Sequence, residues 1–436
     1  MNMNTLLTKT DSYKASHFLQ FPPDAENIFY YISARGGTDK IKFFGLQLIL
    51  KKLFMKVPTL YDVMMAKEFY IKHGLPFNEK GWNDIAKLGY YPLEIKAVKE
   101  GSIVETKTPL VTITCTVDGF EWLPGWVETS ILQVWYPTTV ATRSWQCKKV
   151  IEKYLNETGD PSTIMFKLHD FSFRGVSSQE SAAIGGASHL VNFMGTDNIA
   201  GIFEAQQYYN TTEMLGYSIP AAEHSTMTSW GISGEADAYK NMMTQFAKTG
   251  ALVAVVSDSY NLSNAIINIW GNELKQQVLD SGATIIIRPD SGEPKDIVLR
   301  TLLQLEEVFG TTVNYKGYKV LNPCVRVIQG DGMADQTSIE DVYETMKING
   351  FSADNVAIGM GGGLLQQVNR DTFKFAMKCS SIKRSGTWQD VYKCPVDAPW
   401  KASKAGRFEE CTNLLTVFKD GKLLIDYTFD EVRNNE

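Results

Sequence analysis

Between residues 160 and 365 the hydrophobic pattern repeats one theme. A short apolar or β-branched run ends in a polar or glycine-rich cluster, and a helical period follows most of these clusters. The runs are MFKLHDFSFRG, MGTDNIAG, PAAEHST, LVAVVSDSY, ATIIIRPDSG, VRVIQGDG and NVAIGMGGG. Their markers, Asp170, Asp197, His224, Asp258, Asp290, Asp331 and Gly361, recur at intervals of 27 to 41 residues. One strand and one helix fill such an interval, which predicts a parallel, barrel-like (β/α) domain. VAVVSD and TIIIRPD are continuously apolar, as strands buried on both faces are.

The flanks have other periods. LYDVMMAKEFYIKHG sets Leu60, Val63 and Met64 at helical spacing, with Gly74 as its cap. In LVTITCTV, Val111, Ile113, Cys115 and Val117 alternate with threonines, and LEIKAVKEG alternates in the same way, so two half-buried strands are expected. A long helical stretch runs from about Trp126 to Leu155. After Gly363 alternation returns in TFKFAMKCS, and LLTVFKDGKLLIDYTF reads as two strands around an Asp-Gly turn. The predicted fold is therefore α/β. A barrel-like catalytic domain covers 161–371, and a discontinuous, β-rich α+β domain is made from 1–160 and 372–436.

Bulk properties narrow the function. A chain of 436 residues is too long for one ordinary core. A net charge of -6 gives no general pull toward nucleic acid or anionic membrane, so any anion site must be local. The opening MNMNTLLTKTDSYKASH lacks a basic stretch followed by an apolar core, and no apolar run approaches a membrane span. The six cysteines (Cys115, Cys147, Cys324, Cys379, Cys394, Cys411) never form Cys-x-x-Cys, which fits a reducing cytoplasm.

Candidate chemistry gathers at the strand ends, where barrel active sites form. One aspartate there is often a helix cap, but seven successive polar junctions, two carrying arginines, point to an enzyme. GMGGGLLQ is either an anion cradle or a flexible loop, and it matches neither the Walker A nor the dinucleotide glycine pattern. Arg288 and Asp290 flank Pro289 as a phosphate and hydroxyl reader or as a simple internal pair, and QGDG places Asp331 between glycines. Together these segments suggest a phosphorylated sugar. Phe171 and Phe173 share a face if extended, one for the core and one for an aromatic ring, with Arg174 beside them. His224, one of five histidines, follows Glu223 and is a structural residue, a metal ligand or a chemical group. His169 and His189 lack a second ligand at metal spacing.

The motifs TDSYKASH, FFGLQ, FNEKGW, LHDFSFRGVSSQE, GTD, PAAEHST, VVSDSY, IIRPDSG, VIQGDG and GGGLLQ occur here in order. In this the chain resembles the nicotinate/nicotinamide phosphoribosyltransferase family of type II phosphoribosyltransferases, and its nicotinamide-using members most closely, over nearly its whole length. The resemblance implies transfer of 5-phosphoribosyl from 5-phospho-α-D-ribose 1-diphosphate to nicotinamide, with Mg²⁺ and with ATP coupled through a phosphohistidine. It makes His224 that histidine, with Glu223 beside it and Asp258 orienting it. Phe171 becomes one wall of the base slot, and Tyr13 the opposite wall, supplied across a homodimer. Asp197 reads the carboxamide, Ser218 lies in the substrate site, and Arg174 holds base or phosphate. Arg288, Asp290, Gly330 and Asp331 take the ribose, and Gly361 and Gly362 the 5'-phosphate. Arg35, Arg370, Lys378 and Lys393 take diphosphate or nucleotide phosphates. The Mg²⁺ ligands are not identified by the motifs. Cys394 after Lys393, Met360 in the glycine run and two shortened segments depart from the family pattern. A nicotinate-preferring relative and a non-catalytic pyridine-nucleotide-binding homologue are the competing expectations.

Overall fold

The computed structural model describes residues 5–397, 401–411 and 413–435. The chain divides into two compact units, one of residues 1–142, 205–212 and 368–436, the other of 143–204 and 213–367. One division falls inside the helix Trp135–Thr158, earlier than the residue 160 that the pattern suggested. The end of that helix packs within the second unit, where Tyr154 stacks on Tyr343 with ring centroids 5.8 Å apart. The short return at 205–212 left no mark in the hydrophobic pattern.

In the first unit the two ends of the chain share one antiparallel sheet. Strand Ala25–Ser33 pairs with Ala376–Arg384 on one side and Val111–Cys115 on the other. Leu93–Ala97 then joins Val111–Cys115 to Leu415–Lys419, so the C-terminal segment completes the N-terminal sheet as expected. The Asp-Gly turn is present, with Asp420 and Gly421 both at positive φ (48° and 75°), as a two-residue hairpin requires. Two expectations shift. The strand expected from Phe373 begins at Ala376, because Lys374 sits at φ 56° and breaks the extended run. Helix Leu60–Lys72 buries Val63, Ala66 and Tyr70, while Leu60 and Met64 face outward.

The second unit is the parallel α/β domain. Its sheet runs in the order Gly195–Thr196, Leu168–Asp170, Val356–Met360, Val325–Gln329, Thr284–Arg288, Leu252–Val256, and every pairing is parallel. The remaining run, GYSIPAAEHST, forms no regular strand, since Pro220 has no amide hydrogen to give a ladder. It nevertheless bridges both edges of the sheet. The Tyr217 amide donates to the Met194 carbonyl at 2.7 Å, and the Ala222 amide donates to the Ala254 carbonyl at 2.9 Å. The six strands thus curl into a barrel that this segment closes. The longest interval, from Asp290 to Asp331, houses an extra hairpin, Thr311–Val313 with Lys319–Leu321. Burial on both strand faces holds for Val253–Val256, but Thr284–Arg288 alternates between buried and half-buried.

Candidate active site

Each strand end delivers its marker through a specific local device. Leu168–Asp170 ends on a fully buried aspartate, whose Oδ1 accepts the Ser172 amide at 2.8 Å and whose Oδ2 accepts the Asn198 side-chain amide at 3.0 Å. The chain then leaves the extended state for a tight turn at Phe173–Gly175, so Phe171 and Phe173 do not share a strand face. Both rings still border the same opening. Phe171 lies against glycines: a β-carbon on Gly359 would fall 2.0 Å from its ring, and one on Gly330 3.5 Å. Beyond the next strand, Asp197 accepts a short hydrogen bond from the Ser218 hydroxyl.

His224 opens the short helix His224–Thr228, with Glu223 as its N-cap. Its Nε2 lies 3.0 Å from Asp258 Oδ1, and its Nδ1 lies 3.8 Å from Asp290 Oδ2. The other Asp258 oxygen accepts the Asp290 amide at 2.9 Å and the Ser291 hydroxyl at 2.6 Å. Burial alone would raise the Asp258 carboxyl. The hydrogen bonds from Ser291, His224 and the Asp290 amide outweigh it and hold the group below its usual range. An ionised Asp258 only accepts, so the His224 proton in this bond sits on Nε2 and the Nδ1 side faces Asp290. Asp290 moves the other way: burial raises it, with Asp258 and Asp331 adding and Arg288 and His224 opposing.

Arg288 approaches Asp290 at 3.7 Å, too long for a hydrogen bond, and its buried Nε has no hydrogen-bond partner among the described residues. The internal pair left open by the sequence is therefore weak, and the guanidinium keeps donors for a ligand. Arg174 reaches Glu223 at 3.5 Å as an exposed, solvent-screened pair. Glu223 also accepts from Ser225 at 2.5 Å. In the glycine run, a β-carbon on Gly361 would meet nothing within 4 Å, while Gly363 is packed against Ala334. Gly361 thus exposes backbone to open space, a β-carbon on Gly362 would meet the Gly175 carbonyl oxygen at 3.6 Å, and Gly363 serves helix packing.

These groups surround one cavity of about 840 Å³, lined by Phe171, Arg174, Asp197, Glu223, His224, Arg288, Asp290, Gly330, Asp331, Gly361 and Gly362. Asp258 and Ser218 stand behind it, each touching a lining residue. Phe173, the second ring of the pair weighed for an aromatic ligand, also lines it, as do the strand-end marker Asp170 and two residues not singled out, Gly175 and Ser225. Ser291, directly after Asp290, is a further residue missed; it donates to Asp258. His169 is half-buried and packs its ring on Gly195, and burial pushes it down to about 4. Among the described residues no group of three or more His, Cys, Asp or Glu side chains forms a metal cage, and no helix is long and apolar enough to cross a membrane.

The other five candidates lie in the first unit. Tyr13 is 58 % exposed on the turn Ser12–Leu19, edge-on to His17. Arg35 donates to the Lys374 carbonyl, Arg370 meets Asp371, and the Lys393 amide donates to Ser403. Burial, then the Arg35 charge, lowers the Lys378 amine, with Lys393 and Arg370 adding and Glu128 opposing. The charges of Arg35, Lys393 and Arg370 thus each bear on Lys378.

The fold has solved counterparts. A nicotinate-nucleotide pyrophosphorylase from Pyrococcus furiosus superposes with a TM-score of 0.59 at 13% identity, covering 98% of this chain and 94% of that one. Human nicotinic acid phosphoribosyltransferase gives 0.56 at 13% identity, over 97% and 92%. At these identities the likeness shows a shared fold. Sequence comparison is more specific. Residues 166–422 match the model of the nicotinate phosphoribosyltransferase (NAPRTase) family, and residues 5–95 match the N-terminal domain model of nicotinamide phosphoribosyltransferase. A nicotinamide phosphoribosyltransferase of Xanthomonas campestris pv. campestris is 49% identical, covering 99% of this chain and 98% of the relative. One from Mycoplasma pneumoniae is 32% identical over 94% and 97%. The chain belongs to the nicotinate phosphoribosyltransferase family.

Proposed function

We propose that the protein makes nicotinamide mononucleotide and diphosphate from nicotinamide and 5-phospho-α-D-ribose 1-diphosphate, in NAD biosynthesis. The carrying observation is the convergence of Phe171, Asp197, Arg288, Asp290 and the Gly361–Gly362 backbone on one cavity. In the reaction the C1–O bond to diphosphate breaks and its electron pair leaves with diphosphate. The pyridine nitrogen lone pair forms the new C1–N bond. Positive character grows on the ribose, which the Asp290 and Asp331 carboxylates stabilise, and Arg288 offsets the phosphate charge. Gly330 lets the chain lie close to the sugar, and the backbone of Gly361 and Gly362 receives the 5'-phosphate. Phe171 offers its face to the pyridine ring. Asp197, with one oxygen engaged by Ser218, accepts from the carboxamide NH₂ and repels the carboxylate of nicotinic acid.

The same reading assigns the His224–Asp258 pair to ATP coupling. With Nε2–H held by Asp258, the Nδ1 lone pair attacks the γ-phosphorus of ATP, the bond to ADP breaks, and water later releases the phosphate. Glu223 holds Arg174 near these phosphates. Mg²⁺ would neutralise diphosphate charge. Asp290 and Asp331 fit it as hard oxygen donors, since Mg²⁺ needs only one or two carboxylates beside substrate phosphates. The protein acts as a cytoplasmic homodimer, with Tyr13 and the cations Arg35, Arg370, Lys378 and Lys393 serving the site across the subunit interface.

The test compares nicotinamide and nicotinic acid as substrates with Mg²⁺, with and without ATP. Mononucleotide from nicotinamide, stimulated by ATP, is expected; no product from nicotinamide would sink the reading. Asp197→Asn is expected to narrow the preference over nicotinic acid at least tenfold, about 1.4 kcal/mol. His224→Ala is expected to abolish the stimulation, and intact coupling in that variant would remove the phosphohistidine role.

A further inference from the structure

Asp258 meets three donors and lies one position away from the cavity wall. Its Oδ1 faces His224 Nε2 at 3.0 Å, while its Oδ2 takes the Asp290 amide at 2.9 Å and the Ser291 hydroxyl at 2.6 Å. Ser291 is exposed and is not among the residues lining the cavity. Of the three donors, only Ser291 is a side chain with no place in the transfer or the phosphoryl step. We propose that Ser291 is the positioning residue of the His224–Asp258 pair: by committing Oδ2 it turns the carboxylate so that Oδ1 alone fixes the imidazole. This rests on the phosphohistidine reading for its consequence, but the positioning itself is a property of the folded chain.

The physical reason lies in the rotation of a carboxylate. A single backbone donor leaves the group free to pivot about its χ2, which is broad for aspartate. Two donors on one oxygen from consecutive residues define the carboxylate plane. The imidazole then receives its acceptor along one direction, which holds Nδ1 toward the cavity. The surrounding backbone does not depend on Ser291. The Ser257 amide donates to the Arg288 carbonyl at 3.1 Å, stitching the two strand ends together, and Trp270 Nε1 donates to the Ser257 hydroxyl at 3.1 Å. Loss of the Ser291 hydroxyl therefore removes a hydrogen bond to a charged acceptor and leaves the strand ends in place.

The experiment uses the full chain labelled with ¹⁵N-imidazole histidine, with the His224 resonances assigned through His224→Ala. For the neutral imidazole of the wild-type protein a single tautomer with the proton on Nε2 is expected; in Ser291→Ala the two tautomers are expected to exchange and their signals to average, and in Ser291→Thr, which keeps the hydroxyl, the single tautomer is expected to return. A single tautomer in the alanine variant, or no return in the threonine variant, overturns the proposal. In parallel, the initial rate of phosphoryl uptake from γ-labelled ATP is expected to fall about tenfold in Ser291→Ala, the lower end of what a charged hydrogen bond contributes. Averaged tautomers with unchanged uptake also overturn it. If the wild-type protein takes up no label, the phosphohistidine reading fails, and the tautomer still decides whether Ser291 positions the pair.

Discussion

Replacing Gly359 by alanine isolates the Phe171 wall without touching a group that contacts substrate. A β-carbon at 359 would lie 2.0 Å from Phe171 Cε2, 2.3 Å from Cδ2 and 2.9 Å from Cζ. Non-bonded carbons rest about 3.5–4.0 Å apart, so either the ring or the strand must give by roughly 1.5 Å or more. The strand is the stiffer partner. Gly359 sits in Val356–Met360, in register with His169 on one side, while Ile358 pairs with Gln329 on the other. Phe171 is only half-buried and borders the cavity, so its ring swings away and the barrel stays. Stacking of a heteroaromatic base on an aromatic side chain contributes about 1–3 kcal/mol. That corresponds to roughly 5- to 150-fold in affinity. Initial rates at saturating phosphoribosyl donor should show the nicotinamide KM raised about tenfold or more by Gly359→Ala, with the donor KM little changed. In a double-mutant cycle with Phe171→Ala the two effects should fail to add, since both remove one ring. A folded Gly359→Ala protein with an unchanged nicotinamide KM would refute the placement of Phe171 in the base slot.

Other outcomes follow from single contacts. Gly361→Ala should fold with an unchanged melting temperature, because its β-carbon meets nothing within 4 Å, yet raise the KM for the phosphoribosyl donor by filling the phosphate space; unaltered kinetics would contradict that use of the glycine run. Asp258 has a lowered folded-state carboxyl, so its stabilisation is fully present above about pH 4, the unfolded value, and is lost as pH falls through the lower folded value. The stability gap between wild type and Asp258→Asn, followed by denaturant unfolding, should therefore close on acidification; a gap constant down to pH 2 would contradict the shift. Gly421→Ala should lower the melting temperature by a few degrees, about 1–3 kcal/mol for a left-handed position. Its φ is 75° and the new carbon would fall 2.6 Å from Tyr90 Cβ, so an unchanged thermal transition would show that the hairpin relaxes freely.

The order of the barrel was legible because each strand end carries a polar marker, and a strand with its return helix has a nearly fixed length. The one long interval reflects an inserted hairpin, whose polar sequence TTVNYKGYKVL gave no strong apolar signal. The division inside helix Trp135–Thr158 was hidden for a different reason. A continuous helical period says nothing about which neighbours its successive turns pack against. At the site, Arg288, Asp290, His224 and the glycines stood out by residue type and spacing. Asp170 stood out as a marker but its task did not, and Ser291 was missed, because a serine after an aspartate and an aspartate at a strand end look the same whether they hold another side chain or only cap a helix. Their work is defined by partners distant in sequence, Asp258 for the one and Asn198 for the other.

The segment GYSIPAAEHST shows why an irregular stretch can be the better solution at an active site. A regular barrel strand brings only its C-terminal end to the mouth. Here Ser218 touches Asp197 and, six residues later, His224 touches Asp258, while Asp197 and His224 line the same cavity. Six residues of extended strand span about 20 Å, which would carry one of the two side chains out of reach. The segment avoids this by changing partners. It pairs with Gly195 at Tyr217 and with Ala254 at Ala221, and Pro220 ends the first pairing because it has no amide to donate. The loss of regular strand geometry costs a few ladder hydrogen bonds, yet it lets one segment close the barrel, hold the Asp197 carboxylate and present the histidine.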